Sequence, residues 1–156
     1  MQSLRFIPIA RLFLLVLLVS LVTLAAPVTP VAHAATITVI NLNGSGAGSL
    51  RQAITDAMAS AGIPDTINFN LSGTITLGST LPNITAAGGT LTIDGTGQSI
   101  TVSGNNATTI FTVNANATLN LQNITVANGK NIAPSADAEG GAIRNSGTLA
   151  IVNSTF

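Results

Sequence analysis

The chain has 156 residues, 46% hydrophobic, 6% charged and 3% aromatic, with five basic and five acidic side chains and no cysteine. Disulfides, iron–sulfur clusters and thiolate zinc sites are therefore excluded, and with no basic run to neutralise phosphates nucleic acid is excluded as a main partner. The apolar content also excludes an acidic disordered tail.

In chain order the first feature is the apolar run Leu12–Ala26, which follows Arg5 and Arg11 and precedes Pro27, Pro30 and Ala32-His33-Ala34. Charged start, apolar middle and small-residue end form the three-part pattern of a secretory signal peptide, with cleavage expected after Ala34. The 15-residue run is shorter than the roughly 20 residues of a spanning helix. No stable membrane span is therefore expected once residues 1–34 are removed. Without an Arg-Arg pair or a lipidation cysteine, the general secretory route is the expected path. The mature chain would keep Arg51, Lys130 and Arg144 as its basic residues and Asp56, Asp65, Asp94, Asp137 and Glu139 as its acidic ones. Its only candidates for general-base chemistry near neutral pH are carboxylates, because the one histidine, His33, leaves with the leader.

From Ser49 onward, Leu50, Ala53, Ile54, Ala57, Met58 and Ala61 recur at helical spacing and form one apolar face. Ser49 with Gln52 is a capping-box pattern, and Gly62 with Pro64 is a stop signal. The spacing predicts a helix over about 50–61.

After Asp65 the period changes to two: Ile67, Phe69 and Leu71; Ile75 and Leu77; Leu91 and Ile93; Ile100 and Val102; Phe111 and Val113. These read as short strands, with turns at Asp94–Gly97 and Ser103–Asn106 where Gly and Asn tolerate left-handed backbone. The strands repeat. Val113–Val126 aligns with Ile143–Phe156 at an offset of 30 residues, matching Val113 with Ile143, Leu119 with Leu149, Leu121 with Ile151 and Asn123 with Asn153. Thr90–Ile93 precedes Thr118–Leu121 by 28 residues, and Ile100–Val102 resembles Ile124–Val126. Repeats of this length, made of strands and turns, predict a solenoid over 66–156 in which each coil covers its apolar face with the next. Like residues then stack in columns, and corner asparagines are expected to form amide ladders.

Gly140-Gly141-Ala142-Ile143 with Asn153-Ser154-Thr155-Phe156 resembles the repeats of the chlamydial polymorphic outer membrane proteins. Gly48-Ser49-Leu50-Arg51-Gln52-Ala53-Ile54 resembles the CSLREA-type segment of secreted bacterial β-helix proteins, with Gly48 in place of Cys and Gln52 in place of Glu. The resemblances imply an all-β, pectin-lyase-like right-handed parallel β-helix over 66–156, closed at its start by an N-terminal cap over 35–65 that contains the helix. They also imply export to the medium or the cell surface, the outer membrane where the envelope has one, and adhesin-like binding of a surface glycan or protein. Phe156 falls on an inner strand position with no polar cap after it. The chain therefore reads as an incomplete β-helix that is expected to self-associate through its open C-terminal coil.

The competing reading is the N-terminal part of a polysaccharide lyase or glycoside hydrolase, since such enzymes share the scaffold. They need clustered carboxylates or acidic calcium ligands with a base. Asp94 lies alone in a turn, and Arg144 follows the Gly-Gly pair as a substrate-binding candidate at most. The polar insertion Ala127–Gly141 holds Lys130, Asp137 and Glu139; the last two are a thin basis for calcium, and a solvated corner loop is the preferred reading. Asn83, Asn106 and Asn123 begin Asn-X-Thr triplets, read as corner residues. No catalytic, cofactor-binding or metal-ligating residue is assigned, and no cofactor is expected.

Overall fold

The computed structural model describes residues 33–131 and 140–156. The expected leader thus lies almost wholly outside the described residues, as do Asp137 and Glu139. The elements are β1 (Thr36–Val39), the helix α1 (Leu50–Met58), β2 (Asp65–Phe69), β3 (Gly73–Thr76), β4 (Thr90–Asp94), β5 (Ile100–Ser103), β6 (Phe111–Val113), β7 (Thr118–Gln122), β8 (Ile124–Ala127), β9 (Ile143–Asn145) and β10 (Thr148–Val152).

Among the described residues every strand pairing is parallel, and they form an all-β parallel fold with one α-helix. The first sheet runs β1-β2-β4-β7-β10, the second β3-β5-β8, and the third pairs β6 with β9. From β2 onward the chain visits the sheets in turn and returns to the first one strand further along. Ile84 bridges Val113, and Thr125 bridges Thr155, so the same visits continue where no full strand forms.

Register places like above like. Ile37, Ile67, Ile93, Leu121 and Ile151 form one column, and Leu91, Leu119 and Leu149 another. Ile75, Val102 and Val126 stack in the second sheet. Alternate residues of β4 and β7 are buried, as a pleated strand with one face inward requires. The outer face carries Thr36, Thr66, Thr92 and Asn120 in one row, where the Asn120 amide donates to the Thr92 hydroxyl at 3.3 Å. Inside, Ile67, Ile75, Ile93, Phe111, Leu119 and Leu121 are fully buried.

The repeat offsets read from sequence hold where they matter most. Thr118–Val152 pairs at 30 residues, Thr90–Gln122 at 28, and Ile100–Ala127 at 24. One match shifts: Ile143 lies opposite Phe111, and Val113 faces Asn145. The turn Ser146–Gly147 is two residues shorter than Asn114–Ala117. A slip of two residues keeps every side chain on its original face, so the alternation alone could not reveal it.

The helix is shorter than its apolar spacing suggests, ending at Met58 rather than 61. Ser60 is the cause, because its N–H and its hydroxyl both lie on the Ala57 carbonyl, at 3.2 and 2.7 Å, and close the last turn. Ala61 then takes a φ of 44° and Gly62 one of 81°. Ala61 is consequently exposed, whereas Leu50, Ala53, Ile54 and Ala57 are buried against β1 and β2. Ser49 does cap the helix by accepting from the Gln52 N–H at 3.3 Å. The reciprocal half of the box is missing, since the Gln52 amide donates to Asp56 at 2.7 Å instead.

The expected asparagine ladder is also corrected. Asn123 carries the anticipated left-handed backbone, φ 54°, as does Asn153, φ 48°. Its amide, however, reaches Thr96 at 2.7 Å and Asp94 at 3.3 Å, because Gly95 and Thr96 rather than an asparagine occupy the corner above.

Core and edge positions of the same column should respond differently to truncation. Leu121→Ala is expected to cost about 2–5 kcal/mol, and Ile151→Ala, 47% exposed, less than about 1 kcal/mol. Chemical denaturation of the two variants checks the contrast.

Candidate functional site

Asp94 ends β4 and begins the five-residue corner Gly95–Ser99. Its carboxylate accepts from the Thr96 N–H at 2.9 Å, the Thr96 hydroxyl at 2.6 Å and the Asn123 amide at 3.3 Å. Partial burial pushes its pKa up, but the hydrogen bonds from the Thr96 hydroxyl, the Thr96 N–H and Asn123 outweigh it and hold the carboxyl below its ordinary value. All three bonds reach Oδ1, so the side chain is a turn-former joining two adjacent corners, and its lowered pKa makes it a weak base.

Arg144 sits in β9 on the exposed surface, opposite Thr112. With Gly140, Ile143, Asn145 and Ser146 it lines an open recess of about 350 Å³. Just before β9 the chain approaches itself very closely. A Cβ on Gly129 would lie 2.4 Å from the Ala142 Cα, and one on Gly141 would lie 2.9 Å from the Gly129 carbonyl oxygen. The Gly-Gly pair is thus a packing requirement that delivers Arg144 to the surface. Lys130, exposed nearby in sequence, is fixed through its backbone N–H to the Thr108 carbonyl at 2.9 Å. The structure brings Asp94 together with Thr96 and Asn123, and Arg144 with the recess.

Two charged residues with structural tasks went unassigned in the sequence. Arg51 donates from Nε to the Gly44 carbonyl at 3.0 Å, from Nη1 to the Thr80 carbonyl at 2.7 Å, and from Nη2 to the Ser79 carbonyl and hydroxyl at 2.7 and 3.1 Å. The available signal was its place in the first turn of a helix, where a cation opposes the helix dipole and so needs acceptors of its own. Asp65, 2% exposed, is the other. Its inward place was available from the alternation, since it shares the parity of Ile67 and Phe69, whereas its neighbour Leu91 needed the pairing.

Among the described residues no group of three His, Cys, Asp or Glu side chains gathers to hold a metal ion. Nor is any helix there long and apolar enough to cross a membrane. Compared with known proteins, the chain matches no protein-family model and no curated protein.

Asp94→Ala should cost about 1 kcal/mol at neutral pH, through the lost hydrogen bonds. Because the folded carboxyl lies below its unfolded value of about 3.9, its contribution is present above that pH and is lost as pH falls through the folded value. Acid titration of unfolding should therefore show a steeper decline for the parent chain than for the variant.

Proposed function

We propose that this chain is an exported, non-catalytic right-handed parallel β-helix with an adhesin-like role at a cell surface, binding a surface glycan or protein. The observation that carries the reading is the repeated passage through three parallel sheets in fixed register, with β10 stacking on β7 as β7 does on β4. That arrangement suits a solenoid whose coils rise strand by strand, with α1 as the cover of the first coil through its contacts with β1 and β2. The same features that suggested secreted bacterial β-helix proteins, the leader pattern, the Gly48–Ile54 segment and the Gly140–Ile143 repeat, support export and surface display. Crystallography of the exported protein tests the winding, and left-handed or antiparallel packing would reject it.

Binding rather than catalysis is favoured by what the polar groups already do. Asp94 is tied through Oδ1 to Thr96 and Asn123, and Arg144 lines an open recess. A guanidinium on an exposed sheet suits the carboxylates and hydroxyls of an acidic glycan. The full chain is therefore expected to bind immobilised acidic polysaccharide saturably, with at least a fivefold loss on Arg144→Ala, and to release no shortened product. Calcium-dependent depolymerisation that disappears in Asp94→Ala or Arg144→Ala would instead favour the lyase or hydrolase alternative.

A further inference from the structure

Asp65 occupies a place in the first sheet where its neighbour in register is leucine, at position 91. Its carboxylate is buried and accepts from two groups. Oδ1 takes the Ala35 backbone N–H at 2.8 Å, and Oδ2 takes the Ser60 hydroxyl. That hydroxyl is also 2.7 Å from the Ala57 carbonyl, and it has one proton for both acceptors. A buried carboxylate normally has a cation or a full set of donors, because an uncompensated charge in the core is costly.

The elements packed on Asp65 bring it no basic side chain. β1 is Thr-Ile-Thr-Val, and β4 carries only Asp94, committed to Thr96 and Asn123. On α1, Arg51 is bound to the carbonyls of Gly44, Ser79 and Thr80, and Asp56 is held by Gln52. The one nitrogen placed to become a cation is that of Ala35 itself. Ala35 follows the expected cleavage point directly, and His33, Ala34 and Ala35 are all exposed, so the bond to be cut lies outside the core. The chain is already registered there, with the Ala35 carbonyl accepting from the Thr66 N–H at 2.9 Å.

We infer that Ala35 is the mature N-terminus and that its α-ammonium is the intended counter-ion of Asp65. The inference rests on the export reading and adds to it a consequence for folding. Hydrolysis of the Ala34–Ala35 peptide bond adds water across it, leaving a carboxylate on Ala34 and, after protonation, an ammonium at the Ala35 nitrogen. One neutral N–H on Asp65 is thereby replaced by a positive group with three. Before cleavage the carboxylate is under-compensated, and afterwards it is paired, so removal of the leader tightens the clamp among β1, β2 and the C-terminal end of α1.

The test uses the full chain, expressed with its leader in a bacterium that exports by the general route. Mass spectrometry of the exported product should give Ala35 as the first residue. In that product the Ala35 amine should titrate at least one unit above the unfolded value of about 7.7, read by NMR. Near pH 7.5 its acylation should be at least tenfold slower in the native state than in denaturant. A raised folded pKa means that the stabilisation is present below the unfolded value and lost as pH rises through the folded one. Asp65→Asn should remove this alkaline loss, and the amine titration of the unmutated product stands alone if that variant does not fold. A product starting at Ala35 whose amine titrates normally overturns the pairing and leaves export standing. A product starting elsewhere also overturns it. An uncleaved, retained chain overturns the export reading and this inference with it.

Discussion

Parallel in-register hydrogen bonding between successive visits to the same sheet is the constraint from which the rest follows. A strand that must satisfy its backbone groups on the strand before it, and offer the same groups to the strand after it, has little freedom to slide. Inward positions therefore accumulate Ile, Leu and Val in columns, while outward positions carry Thr and Asn, whose short side chains pack and bond along the row. Among the described residues Phe111 is the one fully buried ring, and it lies in the third sheet.

Corners obey a different rule. The link from the first sheet to the second is three residues after β2, five after β4 and a single residue, Asn123, after β7. The same two sheets accept all three lengths because the residues there can adopt left-handed backbone, as Asn123 does, or leave the core outline altogether. Asp94 shows how a long corner is held in place: its carboxylate folds the corner back through Thr96 and receives the amide of Asn123 from the next repeat. Polar side chains at corners thus do what apolar columns do within sheets.

Most of this was legible in the residues. Period-two alternation located the strands, and the recurrence of Thr-Leu-X-Leu/Ile located their partners, because the stacked columns are written directly as repeated letters. Three things were not. The end of α1 depended on a Ser60 hydroxyl taking a helix carbonyl, which no apolar spacing reports. The pairing of Ile143 with Phe111 depended on a turn shortened by two residues, invisible to a pattern of period two. The roles of Arg51 and Asp65 depended on groups nearly thirty residues away, brought close by the stacking itself. Asp94 was correctly read as a turn residue because its partner Thr96 is local. Arg144 was visible only as a candidate after a Gly-Gly pair, while the recess it lines with Ile143, Asn145 and Ser146 showed only in three dimensions.

The unequal corners have a consequence for how such a chain changes over generations. Since the strands of the first sheet keep five residues from β2 onward while the adjoining link varies from one to five, gains and losses of coding triplets are tolerated at the corner and penalised within the strand. Sequence length is then a poor measure of kinship among chains built this way. The vertical succession of side chains is the better guide, and Gly97, exposed in the corner after β4 with nothing packed on it, is a natural place to graft a foreign peptide without touching the interior.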